Sequence, residues 1–370
     1  MTPTAFRNPL RRPVEVAPSR EPLGLHRRLP GYEPTPLRSL PDLAADLGLG
    51  GVLVKDESSR LGLPAFKMLG ASWATYRALV DRLGRDVEPW STVDELRERL
   101  APLQPVTLAT ATDGNHGRAV ARMARLTGCA ARIWVPEHTA AARIEAIESE
   151  GARVAVVAGG YDDAVEVVRQ AADDRTVIVS DTAWEGYDRV PAWVIEGYST
   201  IFWEVDDQLA EAGLPAPDVV VVPVGVGALA AAAVAHLRRP GGPDGTVLVS
   251  VEPDDAACVL ASIQAGGLVT LPGPQRSIMA GLNCGTPSPV AWPLVSAGFD
   301  WFVAVDDDAA RDAMRALARQ GIVAGETGAA ALAGLVAARD VLDRSATALL
   351  LCTEGATDPV AYREIVGVVP

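Results

Sequence analysis

Val219-Val220-Val221-Val222-Pro223-Val224-Gly225-Val226-Gly227-Ala228-Leu229-Ala230 is a strand that breaks into a glycine turn and reopens as an alanine-rich helix. Valine on every position, with no polar alternation, marks a strand buried on both faces, as in a parallel sheet. Outward from this stretch, short Val- and Ile-rich runs at 52–55, 106–109, 131–135, 153–157, 177–180, 247–251, 301–305 and 348–352 repeat the theme, with helical patterns between nearly all of them. Strand–helix repetition of this kind predicts an α/β fold with largely parallel, twisted sheets covered on both faces. Around 116–127, Ala119, Val120, Met123, Ala124 and Leu126 recur at helical spacing and Gly128 stands where a glycine stops a helix. The unit 106–135 therefore reads strand, turn, helix, strand, an arrangement that places a ligand site at the end of its first strand.

A chain of 370 residues is long enough for two lobes, or for one large domain with an insertion. With 49% hydrophobic and 22% charged residues it is neither disordered nor of low complexity. Its net charge of −14 repels a phosphate backbone, so nucleic acid is not an expected partner. No run approaches the roughly 20 apolar residues of a membrane span, and 1–20 lacks the apolar centre of a signal peptide. A cytoplasmic protein with no membrane partner is expected. Cys129, Cys258, Cys284 and Cys352 stand far apart and only four histidines are present; buried free thiols are expected, with no metal site and no disulfide framework. The Pro- and Arg-rich opening, 1–36, reads as an extended arm over the body, and the softest boundaries fall at 82–105 and 181–191.

Three stretches carry polar chemistry. At Gly225 to Leu229, free N–H groups and the helix dipole favour a phosphate. The same letters read G-x-G-x-x-A, with Glu252 about 20 residues on, which is the dinucleotide pattern; a plain turn would also need the glycines for its backbone angles. In Pro64-Ala65-Phe66-Lys67-Met68-Leu69-Gly70-Ala71, Lys67 stands among apolar neighbours at the start of a helix. Desolvation there depresses a lysine pKa and suits Schiff-base chemistry, whereas a lone lysine at a helix end ordinarily snorkels to solvent. In Thr110-Ala111-Thr112-Asp113-Gly114-Asn115-His116-Gly117, polar groups end a buried strand. Thr112 or Asp113 can cap the helix and Asn115 can serve the turn while both also bind a ligand; His116 is expected to pack or cap.

In this order the three stretches resemble the fold-type II enzymes that use pyridoxal 5′-phosphate. In that group a lysine preceded by Phe carries the cofactor, an asparagine in a Gly-Asn-His-Gly turn touches its hydroxyl, a glycine turn holds its phosphate, and a hydroxyl residue after a late strand faces its ring nitrogen. The matching positions are Phe66 and Lys67, Asn115, Gly225 with Val226, Gly227, Ala228 and Leu229, and Thr353 in Leu349-Leu350-Leu351-Cys352-Thr353-Glu354-Gly355. The phosphate turn has fewer glycines than is usual there, and the segment before Gly325-Glu326-Thr327-Gly328 is shorter than in familiar members. Within the group the chain is most similar to the diaminopropionate ammonia-lyases, over about 37–367, through Val54-Lys55-Asp56-Glu57-Ser58, Ala65 to Gly70, Ala111 to Arg118, Asp181-Thr182-Ala183-Trp184-Glu185-Gly186-Tyr187, Met279 to Gly285 and Thr353 to Asp358.

The resemblance implies two three-layer αβα lobes with the cofactor in the cleft between them. A large lobe from 1–75 and 188–370, a small mobile lobe from 76–187 and a homodimer are expected. The implied reaction is α,β-elimination of 2,3-diaminopropionate, D, L or both, to pyruvate and ammonia. Lys67, Asp113 and Asp181 are the expected catalytic residues, Asp113 being the carboxylate base for the D form. The runner-up is a serine or threonine dehydratase, or a β-replacement enzyme, on the same cofactor. A nicotinamide enzyme would leave Lys67, Asn115 and Thr353 without a purpose, and a sensor that has lost its chemistry would not need Lys67.

Overall fold

The computed structural model describes residues 5–112, 114–243 and 245–370. Its strands are β1 (Phe6–Arg7), β2 (Leu37–Ser39), β3 (Gly51–Asp56), β4 (Thr107–Ala111), β5 (Ala130–Pro136), β6 (Arg153–Val157), β7 (Thr176–Ile178), β8 (Val219–Pro223), β9 (Val247–Pro253), β10 (Trp301–Val305) and β11 (Thr347–Cys352). They form a seven-stranded sheet in the order β1-β10-β9-β8-β11-β3-β2 and a four-stranded sheet in the order β6-β5-β4-β7. Every pairing is parallel except β1 with β10 and β2 with β3, the two edges of the large sheet.

Strict alternation of side chains sends each buried strand into two cores. Val220, Val222, Leu248, Leu349 and Leu351 pack with Ala230 to Val234 of the helix Ala228–Leu237. Val219, Val221, Val249, Val251 and Leu350 face the helices Asp307–Arg319 and Glu326–Ala338 on the other side. The small sheet repeats the plan: Leu108, Ile133 and Val135 pack with the helix Asn115–Thr127, while Ala109, Ala111 and Trp134 meet Ala164 and Val168 of the helix Tyr161–Gln170. Each sheet is thus the middle of three layers, and each fully buried Val or Leu stabilises it by about 1.5–3 kcal/mol. The α/β class is as expected, and all nine anticipated strands are present within a few residues.

Three expectations are corrected. The opening segment is not a plain arm: its described part contributes β1 and a helix, Glu21–His26, whose His26 is buried against Thr200 Oγ1 (2.8 Å) and the Leu69 carbonyl (3.0 Å). The stretch 82–105 is not a loose boundary, because Val93, Leu96 and Leu100 form the buried stripe of the helix Val93–Leu100 beneath its charged face, with Trp90 buried beside it. Cys129 is half-buried, unlike the other three thiols. Among the described residues no helix is long and apolar enough to cross a membrane.

Candidate active site

Parallel strands all end on the same edge of their sheet, and the segments that follow β3, β4, β8 and β11 meet there around one cavity. Phe66 and Lys67 come from the segment after β3, Thr112 to His116 from the turn after β4, Gly225 to Leu229 from the turn after β8, and Thr353 and Glu354 from the end of β11. Residues that the sequence separates by up to 288 positions therefore line one cavity.

The segment carrying Lys67 is held by its backbone. Phe66 N–H donates to the Thr353 carbonyl (3.1 Å), Gly355 N–H donates to the Pro64 carbonyl (2.9 Å), and Ala65 bridges to Glu354. Further back, the fully buried Arg60 donates to Glu57 (2.6 Å) and Glu204 (2.6 Å). Gly70 and Gly197 let the lysine helix, Lys67–Leu83, approach the helix Arg189–Gly197: a Cβ on Gly70 would stand 2.6 Å from the Tyr198 ring, and one on Gly197 would stand 2.6 Å from the Leu69 carbonyl oxygen.

Lys67 is the first residue of its helix, where the dipole disfavours a cation. Asp181 offsets this: Lys67 Nζ donates to Asp181 Oδ2 at 2.6 Å, and the Tyr161 hydroxyl donates to Oδ1 at 2.8 Å. Burial pulls the Lys67 pKa down, but the Asp181 charge and hydrogen bond, together with Tyr198 and Cys284, outweigh it and hold the amine above the ordinary lysine range. Burial likewise opposes the Asp181 charge, and the Lys67 charge with the hydrogen bonds from Lys67 and Tyr161 still holds its carboxyl well below the usual range. His116 packs as expected; its Nε2–H donates to the Val179 carbonyl (2.8 Å), and burial keeps the ring neutral by lowering its pKa.

Thr112 Oγ1 accepts from the N–H groups of Gly114 (2.9 Å) and Gly117 (3.0 Å), so it caps the helix Asn115–Thr127 from just outside. Asn115 stands at the cavity and its amide Nδ2 donates to Glu354 Oε2. Asp113 lies outside the described residues. Thr353 is buried and its hydroxyl donates to the Thr327 carbonyl (3.4 Å). Behind Glu354, the Glu326 carboxyl is raised to about 7, first by burial and then by the Glu354 charge. The loop 181–187 folds into a tight turn in which Trp184 stacks on Tyr187 at 4.1 Å, leaving Trp184 half-buried.

Gly225 and Gly227 line the same cavity. Gly227 has φ +98°, and a Cβ on Gly225 would lie 3.1 Å from both Cys284 Sγ and the Gly281 carbonyl oxygen. The cradle is thus a space that a side chain would fill, lined by the backbone of Gly225 to Leu229, and the first N–H groups of the ten-residue helix Ala228–Leu237 have no intrahelical acceptor. Glu252 is not available to a ribose: it is fully buried, its two oxygens accept from Val259 N–H (2.7 Å) and Leu260 N–H (2.8 Å), and burial raises its carboxyl to about 8. An amine for a carbonyl carbon, a backbone cradle for a phosphate and an amide between them fit pyridoxal 5′-phosphate and leave the dinucleotide reading without its acidic partner.

Tyr161 and Arg143 also line the cavity and lie outside every stretch that signals chemistry, while Thr327, Cys284 and Glu354 lie within recognised stretches that imply no role for them. Tyr161 opens a helix after β6, so the same rule that marks strand ends as ligand sites could have drawn attention to it. Nothing in the local pattern of Arg143 distinguishes it from a surface arginine.

The family described as pyridoxal-phosphate dependent enzyme matches residues 28–354. The diaminopropionate ammonia-lyase of Escherichia coli K12 is 38% identical over 358 residues, covering 92% of this chain and 89% of that protein. The selenomethionine holo structure of the Escherichia coli diaminopropionate ammonia-lyase superposes with a TM-score of 0.90 at 36% identity, covering 98% and 96% of the two chains. A second structure of that lyase, in complex with an aminoacrylate–PLP azomethine reaction intermediate, gives 0.89 at the same identity and coverage. This chain belongs to the pyridoxal-phosphate-dependent enzymes of fold type II and, within them, to the diaminopropionate ammonia-lyase family.

Proposed function

We propose that this protein, with pyridoxal 5′-phosphate, converts 2,3-diaminopropionate and water to pyruvate and two molecules of ammonia. The observation that carries this reading is the pair of half-buried Lys67 with buried Asp181, 2.6 Å apart, in a cavity that is also lined by the backbone turn Gly225 to Leu229. When bound, the cofactor supplies the electron sink for negative charge at the substrate Cα. Lys67 would hold it through Nζ, Gly225 to Leu229 would hold its phosphate, and Asn115 would meet its ring hydroxyl. Thr353 would present a neutral hydroxyl to its ring nitrogen, with Phe66 packed beside the lysine.

Lys67 Nζ would be the base on its own face of the substrate, and Asp113 would be the carboxylate base for the D enantiomer. The β-nitrogen leaves only as a protonated amine, so the Asp181 carboxylate holds the β-ammonium and keeps that proton in place. Closure of 76–187 over 1–75 and 188–370 would exclude water during these transfers. We further infer a cytoplasmic homodimer, by analogy with the group.

Purified protein with cofactor is mixed separately with D- and L-2,3-diaminopropionate, serine and threonine, and the oxoacid product is measured. Pyruvate from diaminopropionate far faster than from serine, lost in Lys67→Ala, is expected. Equal or faster turnover of serine would transfer the assignment to a dehydratase.

A further inference from the structure

Glu354 is the point at which three separate parts of the cavity wall meet. Its backbone bridges to Ala65, two residues before Lys67, and its carbonyl accepts from Gly325 N–H at 3.1 Å. The approach is close enough that a Cβ on Gly328 would lie 2.1 Å from that carbonyl oxygen. Its side chain is buried, and both carboxylate oxygens are used: Oε1 accepts from Thr327 N–H (3.3 Å), and Oε2 accepts from Asn115 Nδ2 and from the Thr357 hydroxyl (3.4 Å). The bond to Asn115 spans 239 residues and ties the turn after β4 of the small sheet to the end of β11 in the large one.

An asparagine amide can turn over with little change in shape, exchanging its acceptor oxygen for its donor nitrogen. Against a carboxylate only the NH₂ end can stand, because the reversed amide would place its oxygen on an acceptor-only group. We propose that Glu354 is the positioning residue of Asn115: it holds the amide in one of its two orientations and thereby fixes the contact Asn115 makes with the cofactor's ring hydroxyl. This rests on the cofactor reading above and deepens it. Glutamine at 354 has one acceptor oxygen for two donors, Asn115 Nδ2 and Thr327 N, so it cannot impose that orientation without leaving one of them facing its own NH₂ group.

The test compares wild type, Glu354→Gln, Asn115→Ala and the double variant by the visible absorption band of the bound cofactor and by the dissociation constant of pyridoxal 5′-phosphate from titration of the apoenzyme. In the wild-type background Glu354→Gln shifts the band and weakens binding by about tenfold, the size of one lost hydrogen bond to a charged group. In the Asn115→Ala background the same change shifts nothing further and weakens binding less than about twofold, the coupling expected when one residue acts through the other. Equal effects in both backgrounds, or none in either, would overturn the assignment alone. Should Glu354→Gln fail to fold, Glu354→Asp, which withdraws the carboxylate by one methylene, enters the same cycle. A wild-type protein that takes up no cofactor, or a Lys67→Ala variant with an unchanged band, would instead overturn the cofactor reading and the Glu354 assignment with it.

Discussion

Replacing Asp181 by asparagine keeps the shape of the side chain and removes the one charge that opposes Lys67 at 2.6 Å. At an effective dielectric of about 20 the lost attraction is about 6 kcal/mol. Desolvation of the two ions takes back part of this, and breaking such a buried pair costs about 3–5 kcal/mol. Burial then acts on the lysine with its strongest opponent gone, and the protonation equilibrium of Nζ moves toward the neutral amine by roughly 100- to 4,000-fold, at 1.4 kcal/mol per factor of ten. Only the neutral amine attacks a carbonyl carbon. The rate at which the apoenzyme acquires its visible cofactor band, followed from pH 6 to 10, therefore climbs throughout in the wild type, whose amine lies above the ordinary range. In Asp181→Asn it reaches a plateau inside that window and at pH 7 exceeds the wild type by at least about tenfold. Coincident profiles would refute the claim that Asp181 sets the charge of Lys67. A variant profile displaced to higher pH would show that something other than Asp181 holds the proton on Nζ.

Two further outcomes follow from the packing of the cavity wall. Gly225→Val must place its side chain in the cradle or displace the 279–285 segment, since its Cβ already lies 3.1 Å from Cys284 Sγ and the Gly281 carbonyl oxygen; cofactor affinity by equilibrium dialysis should fall about 100-fold or more with far-UV circular dichroism retained, and an unchanged affinity would move the phosphate elsewhere. Glu326, raised to about 7 by burial and by Glu354, binds its proton more tightly folded than unfolded. The wild type therefore loses stability as pH rises from about 4.5 through 7 and loses no more above it, whereas Glu326→Gln does not. The stability gap between them in urea unfolding should be larger at pH 8 than at pH 5, by up to about 3 kcal/mol, and a gap that narrows with pH contradicts the sign.

Much of this architecture is written locally. Unalternating valines at 219–222 mark a strand buried on both faces, because no residue on it must meet water, and glycines at 128 and 227 take the positive φ that other residues resist. Lys67, Asn115 and Gly225 stand out because each departs from the pattern of the element it ends or begins, whereas Thr353 is marked only by the resemblance to the family. The edge strands β1 and β2, of two and three residues, are too short to show a period and exist only because β10 and β3 offer them unpaired backbone. The same limit applies to function. That Lys67 finds a carboxylate 114 residues away, that Tyr161 holds the other oxygen of that carboxylate, and that Glu354 reaches across to Asn115 are decided by where two sheets place their strand ends. A pattern along the chain reports what a residue needs from its immediate neighbours, namely burial, a turn or a cap. Which charge opposes which in a desolvated cavity depends on through-space distances of a few ångströms, and these come into being only when the chain has closed.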